Sequence, residues 1–330
     1  MTEGAVLAVE GLTTQISTGG GSFAAVDGVS FELRAGEALG LVGESGSGKT
    51  MTCLSLVRLL PKGAGRIVAG SVTLNGEDLL AKSDRELRRL RGRQISMILQ
   101  DPLTSLNPVF TIGSQVGEAV RLERPRPRRK SVRPRVVEAL RRVHIPSPEL
   151  RLRSYPFQFS GGMRQRVTAA IAIARQPRVL IADEPTTALD VTTQRQFLEL
   201  LDELRREERM ALLLVTHDLG IVAETCDRVA IMYAGRIVET GPVERVFSAP
   251  AHPYTQALLG SIPELHAPRQ RRLVQIDGEP PDMLSLPAGC RFAPRCPRVH
   301  ERCTDYPPET EIEGGGRAAC WLLAGADDAA

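Results

Sequence analysis

The eight residues Gly43–Thr50, GESGSGKT, leave this chain few folds to choose from. They follow the apolar run ALGLV and open a stretch of helical pattern. The glycines let the backbone amides of Glu44, Ser45, Gly46, Ser47 and Gly48 curl around a polyphosphate, with Gly43 at the entry and a helix N-terminus behind. Lys49 is placed to reach the β- and γ-phosphates, the Thr50 hydroxyl to ligate Mg²⁺, and Met51 to close the set. A loop of this kind needs a strand before it and a helix after it, and both are present. The chain must be built on an α/β core.

The remaining pattern agrees. Short apolar runs, among them VLAVEGL, VSFELR, SVTLNG, ISMILQ, VLIADEP, ALLLVTHD and RVAIMYAGRIVETG, read as strands. Continuously apolar ones such as VLIA and ALLLV suit a mostly parallel sheet covered on both faces. Helical patterns over Thr50–Leu60, Arg164–Arg175 and Thr192–Arg206 alternate with them. From about Pro102 to Ser160 no strand is expected, so this region reads as an inserted helical subdomain containing a basic run, Arg124–Arg135. Beyond Ala249 the composition shifts to Pro, Arg and Cys, the mark of a small irregular appendage.

Hydrophobic residues at 42% and charged residues at 25% place the 330-residue chain in the soluble globular range. A formal net charge of +3 demands neither nucleic acid nor a membrane surface. The N-terminus lacks a secretory pattern, and no apolar run approaches the roughly 18 residues of a membrane span. The expectation is a soluble chain in a reducing compartment, where clustered cysteines suggest metal or redox chemistry before disulfides.

Two further segments carry chemistry. VLIADEPTTALD delivers adjacent carboxylates at a strand end, with Asp183 suited to a Mg²⁺ shell and Glu184 to polarising the attacking water. FSGGMRQRV begins with an N-cap serine and two glycines before a helix. With the phosphate loop, these segments resemble the ordered landmarks of ATP-binding cassette (ABC) ATPases from about residue 5 to 260. The resemblance implies that ATP is sandwiched between two subunits, Ser160, Gly161 and Gly162 of one facing the nucleotide held on the other. It also makes Gln100 the glutamine that senses Mg²⁺ beside Thr50 and Asp183, Asp190 the carboxylate at the dimer interface and His217 the contact to the γ-phosphate. Phe23 takes the adenine-stacking place, with Phe31 assigned to the core. The implied fold is a P-loop NTPase core with an antiparallel β subdomain, over residues 1–248 with the helical subdomain at about 102–160, and a C-terminal domain over 249–330.

Within the family, AVDGVSFELRAGEALGLVGESGSGKT, MILQDPLTSLNPVFTIG, YPFQFSGGMRQRV and HPYTQALLGSIP resemble the ATPase subunits of oligopeptide and dipeptide importers. That resemblance implies two permeases, a second ATPase and an external peptide-binding protein as partners, at the cytoplasmic face of a membrane. Importers of nickel or glycosides share the pattern. A soluble ABC ATPase acting on nucleic acid would draw on the basic run Arg124–Arg135, but such proteins usually pair two cassettes on one chain or carry a coiled-coil insertion. That run is read instead as a solvated or lipid-facing stretch. A peptide-binding module without ATPase activity is opposed by the complete set Lys49, Asp183, Glu184 and His217.

Four of the six cysteines crowd into the tail as C-x5-C-x6-C, then sixteen residues to Cys320. The close CxxC pairs usual for structural zinc are missing, and thiolates from Pro-rich loops can hold an iron–sulfur cluster. Zinc and unligated or disulfide-linked thiols stay open on the spacing alone. The resemblance of this tail to peptide-importer ATPases implies a [4Fe–4S] cluster on Cys290, Cys296, Cys303 and Cys320. Cys53 and Cys226 are expected to be ordinary buried thiols.

Overall fold

Strand β3 (Ala38–Val42) is buried at all five positions, which is what a run without polar alternation requires. The computed structural model describes residues 4–100, 105–122, 128–262 and 275–323. Strands β1 (Ala5–Thr18) and β2 (Gly21–Arg34) precede β3, and helix α1 (Lys49–Leu56) follows it. Then come β4 (Gly65–Leu74), β5 (Glu77–Asp78), α2 (Asp84–Leu90) and β6 (Ile95–Ile98). The helical stretch holds α3 (Ile112–Arg121), α4 (Arg129–Arg142) and α5 (Pro148–Arg151). After it the chain runs through α6 (Gly161–Ile173), β7 (Val179–Asp183), α7 (Val191–Glu208), β8 (Ala211–Thr216) and α8 (Leu219–Thr225). Strands β9 (Arg228–Tyr233) and β10 (Arg236–Pro242), helices α9 (Val243–Ser248) and α10 (Pro253–Gly260), and strands β11 (Glu309–Glu311) and β12 (Arg317–Ala319) complete it.

These elements form two units, one of residues 1–8, 32–38 and 73–215, the other of residues 9–31, 39–72 and 216–330. In the first, β6, β7 and β8 are parallel neighbours, with Ile95 opposite Val179 and Val179 opposite Ala211. Helices α3, α4 and α6 pack on one another around fully buried Ile112, Val116, Leu140, Val143 and Val167. Several helices start where a side chain satisfies an orphan amide. Thr111 caps α3, Ser160 caps α6, Asp190 caps α7, and Ser83 with Glu86 forms a reciprocal capping box on α2. Part of the basic run Arg124–Arg135 falls outside the described residues.

In the second unit, β3 and β9 are parallel and β9 turns back into β10 through Ala234 and Gly235, both at positive φ. The tail then adds to this sheet. Strand β12 pairs antiparallel with β10, Glu239 opposite Ala318, and β11 pairs with β12, a hairpin that the sequence pattern did not announce. Val42, Val222, Val229, Ile231, Tyr233, Val246, Tyr254 and Phe292 form the core between this sheet and its helices.

Candidate functional site

The phosphate loop leaves the buried end of β3 and lies directly on backbone. A Cβ on Gly43 would strike the Met232 carbonyl, and one on Gly48, at φ +104°, would strike the Ala25 carbonyl. Only glycine permits either approach. Gly48 starts α1 without a side-chain cap, and the first turn carries no acidic residue, so the helix N-terminus is presented to an anion. Lys49 Nζ donates to the Gly43 and Glu44 carbonyls at 2.7 and 3.0 Å, holding its charge over the loop. Among the described residues the buried Ser47 hydroxyl has no hydrogen-bond partner. An uncapped helix, a cradle that a Cβ would fill and an orphaned hydroxyl fit a polyphosphate.

Thr50 is exposed in the first turn of α1 and Met51 is half-buried behind it. Phe23 lies half-buried on β2, two residues before the Ala25 carbonyl that borders Gly48, while Phe31 is in the core. His217 is exposed just past β8, where the Asp218 amide bonds the Thr216 hydroxyl at 3.0 Å. All of these belong to the second unit.

The first unit holds Gln100, Ser160, Asp183, Glu184 and Asp190. Asp183 ends β7 and is 1% exposed. Glu184 follows it at φ 43°, a conformation that costs a non-glycine residue about 1–3 kcal/mol and has to be held. Its amide donates to the Val215 carbonyl at 2.8 Å. Its carboxylate accepts from Gln100 Nε2 at 3.0 Å and from the Thr187 hydroxyl at 3.1 Å. The resemblance named Gln100 and the strand-end pattern named Glu184, 84 residues apart, and folding brings them into contact. Thr187 was not foreseen; its place in TTALD is the signal that could have found it.

Ser160 caps α6 by accepting from the Met163 amide at 3.3 Å, and Gly161 and Gly162 form the first turn, with no acidic side chain in it. A Cβ on Gly162 would collide with the Thr193 methyl group. Thr193 in turn bonds Asp190, which accepts from its amide at 3.0 Å and its hydroxyl at 2.7 Å. These bonds lower the Asp190 pKa and keep its carboxylate charged. Gly162 and Asp190 thus share one small structure through Thr193.

The four tail cysteines line a common pocket together with His252, Phe292, His300 and Trp321. Among the described residues no disulfide joins the cysteines, and Cys53 is buried and Cys226 half-buried against the core. Burial pushes the Cys290 thiol up to about 11, with the neighbouring Cys303 and Cys320 adding to the shift, and it raises Cys296 and Cys320 as well. Among the described residues no group of three or more His, Cys, Asp or Glu is arranged to hold a metal ion. No described helix is long and apolar enough to cross a membrane.

Residues 26–187 match the family described as ABC transporter, and residues 238–303 match the oligopeptide/dipeptide transporter C-terminal region. The chain is 48% identical over 318 residues to the dipeptide transport ATP-binding protein DppD of Bacillus subtilis, covering 96% of this chain and 94% of that one. It is 47% identical over 317 residues to the oligopeptide transport ATP-binding protein OppD of Escherichia coli, covering 96% and 93%. Among solved structures, the dimeric ATP-binding cassette MJ0796 in a post-hydrolysis state with ADP and Pi superposes with a TM-score of 0.64 at 25% identity, over 72% of this chain and 98% of that one. Loop, carboxylates, capped signature turn and tail agree with near full-length likeness, so this chain belongs to the ABC transporter ATP-binding proteins, ATP-hydrolysing subunits, in the branch that carries the oligopeptide/dipeptide C-terminal region.

Proposed function

We propose that this chain hydrolyses ATP to drive the import of dipeptides or oligopeptides. It works as a peripheral subunit on the cytoplasmic face, with a second ATPase, two permeases and an external peptide-binding protein. Likeness to dipeptide and oligopeptide transport proteins over 96% of the chain supports the cargo. The hydrolytic part rests on the Gln100–Glu184 contact. A carboxylate held at a strand end by two side chains is set to orient water and take its proton. Lys49 leaves the carbonyls of its own loop for the phosphates, while Thr50, Asp183 and Gln100 would hold Mg²⁺, which neutralises phosphate charge when bound. Ser160, Gly161 and Gly162 offer a second helix N-terminus to the nucleotide of the partner subunit, Asp190 faces that interface, His217 takes the γ-phosphate and Phe23 the adenine.

The helical subdomain supplies the permease contact in this reading. The Ile112 and Gly113 amides donate to the Ser154 and Leu152 carbonyls, bringing the segment of exposed Val109 and Phe110 against that of exposed Leu150, Tyr155 and Phe157. Exposed apolar side chains gathered in this way mark an interaction surface. Cys290, Cys296, Cys303 and Cys320 would hold a [4Fe–4S] cluster, with zinc as the other candidate. The four thiols line one pocket, and thiolates from Pro-rich loops can hold such a cluster. A bound cluster would pin a tail poor in apolar residues.

The reading is tested with the chain copurified with its permeases. Peptide with its binding protein should stimulate hydrolysis, and Glu184→Gln should cut turnover by about 10²–10⁴-fold while ATP still binds. Turnover near the wild-type rate in Glu184→Gln would remove the water-orienting role.

A further inference from the structure

The phosphate loop is gripped from one side by the turn that carries two of the tail cysteines. Residues Cys290–Cys296 form a tight bend in which the Ala293 amide donates to the Cys290 carbonyl at 3.0 Å and the Cys296 amide to the Ala293 carbonyl at 3.2 Å. The Cys290 amide is tied to the Cys303 carbonyl at 3.0 Å, so the bend is strung across the cysteine pocket. Two arginines project from it. The Arg295 guanidinium meets the Glu44 carboxylate with both ends, Nη1 to Oε2 at 2.7 Å and Nη2 to Oε1 at 3.2 Å. It also donates to the Tyr233 hydroxyl at 3.3 Å and, through Nε, to the Asp277 carbonyl at 2.9 Å. The Arg295 side chain is 5% exposed, and a planar fork so enclosed fixes direction as well as charge.

Arg291 donates to the Ala234 carbonyl and to Asp27. The next residue, Gly235, donates its amide to the Ser47 carbonyl at 2.8 Å. One bend therefore holds the loop near both ends, at Glu44 through Arg295 and at Ser47 by way of Arg291.

Between pocket and loop stands an aromatic wall. Phe292, which lines the cysteine pocket, packs on Tyr233 and Tyr254 with ring centres 5.3 and 5.4 Å apart. The Tyr254 hydroxyl accepts the Glu44 amide at 3.0 Å. Glu44 is thus held at its carboxylate by Arg295 of the bend and at its amide by Tyr254 of the wall, and its carbonyl in turn carries Lys49 Nζ. A shift of the bend cannot be absorbed locally, because Phe292, Tyr233 and Tyr254 are each at most 2% exposed and closely packed.

We propose that Arg295 is a positioning residue for the phosphate loop and that it transmits the integrity of the four-cysteine pocket to Glu44, so that disrupting the pocket weakens nucleotide binding. The inference rests on the nucleotide role proposed for the loop and adds a dependence of that role on the tail.

The test uses the full chain and a fluorescent ATP analogue, with melting temperature recorded for each variant. Arg295→Gln and Cys296→Ser should each raise Kd about tenfold. The double variant should be no weaker than the worse single one, because both cut the same path. Arg295→Lys, which keeps the charge but loses the fork, should fall between wild type and Arg295→Gln. In the assembled complex the KM for ATP should rise with kcat little changed. If Arg295→Gln does not fold, faster hydrogen exchange at the amides of residues 43–48 in Cys296→Ser reads the same coupling. Wild-type affinity in Arg295→Gln, additive losses in the double variant, or unchanged exchange in Cys296→Ser overturns the proposal. Lys49→Ala, run in parallel, separates the two readings. If it too binds normally, the nucleotide role fails, and if it alone loses binding, only the role of Arg295 fails.

Discussion

His252 precedes helix α10 and accepts the Tyr254 amide on Nδ1 at 3.0 Å, while 1% exposed. Burial lowers its pKa from 6.5 to about 4. The unfolded chain therefore takes up a proton below about 6.5 that the folded chain refuses until about 4, and stability falls as pH drops through that window. At about pH 5 the loss through this one group is about 2 kcal/mol. His252→Asn keeps a capping acceptor without the titration, so its melting temperature should fall less than that of the wild type between about pH 7.5 and pH 5. Parallel profiles would show that His252 titrates normally. Sequence alone offered no hint of this, since burial of a polar ring depends on a wall of aromatics that the fold assembles. Lys49, Thr50, Asp183 and Glu184 could be named as candidates because the pattern that suggests them lies in their neighbours in the chain. The bond from Gln100 to Glu184, the positive φ of Glu184 and the arginine clamp on Glu44 join distant segments, and spacing cannot reveal them.

At the scale of elements, α6 and α7 meet through Gly162 and Thr193. A methyl group at position 162 would displace Thr193, and overpacking of this kind costs about 1–3 kcal/mol. Gly162→Ala should lower the melting temperature. Adding Thr193→Ser, which removes the methyl group but keeps a hydroxyl for Asp190, should restore most of the loss. A double variant no more stable than Gly162→Ala would mean that the strain lies elsewhere. The strands at β3, β7 and β8 were readable because a run without polar interruption has few alternatives. Boundaries were less so. The helical pattern from Thr50 to Leu60 ends at Leu56, since Arg58 turns to φ 49°. The run RVAIMYAGRIVETG divides at Ala234 and Gly235 into two strands. Strands β11 and β12 carry ETE and RAA, three residues each. Such segments are too short and too polar to announce a sheet, and they exist because β10 offers an edge to pair with.

For the molecule as a whole, the cysteine pocket gives the most direct measurement. Protein purified without oxygen should be brown and hold iron and sulfide, about four of each per chain, and replacing Cys290, Cys296, Cys303 and Cys320 by serine should remove both. Colourless protein with one zinc per chain would assign the pocket to the other metal. On the proposed coupling, the same pocket bears on the order in which the protein is completed during synthesis. Glu44 emerges early, yet its arginine partner lies 251 residues later. At about 5–20 residues per second, a growing chain carries Glu44 without its arginine partner for roughly 10–50 s. A chain truncated before residue 295 would therefore carry a nucleotide loop complete in sequence but without its arginine clamp, and on the proposed coupling it should hold ATP more weakly than the finished chain.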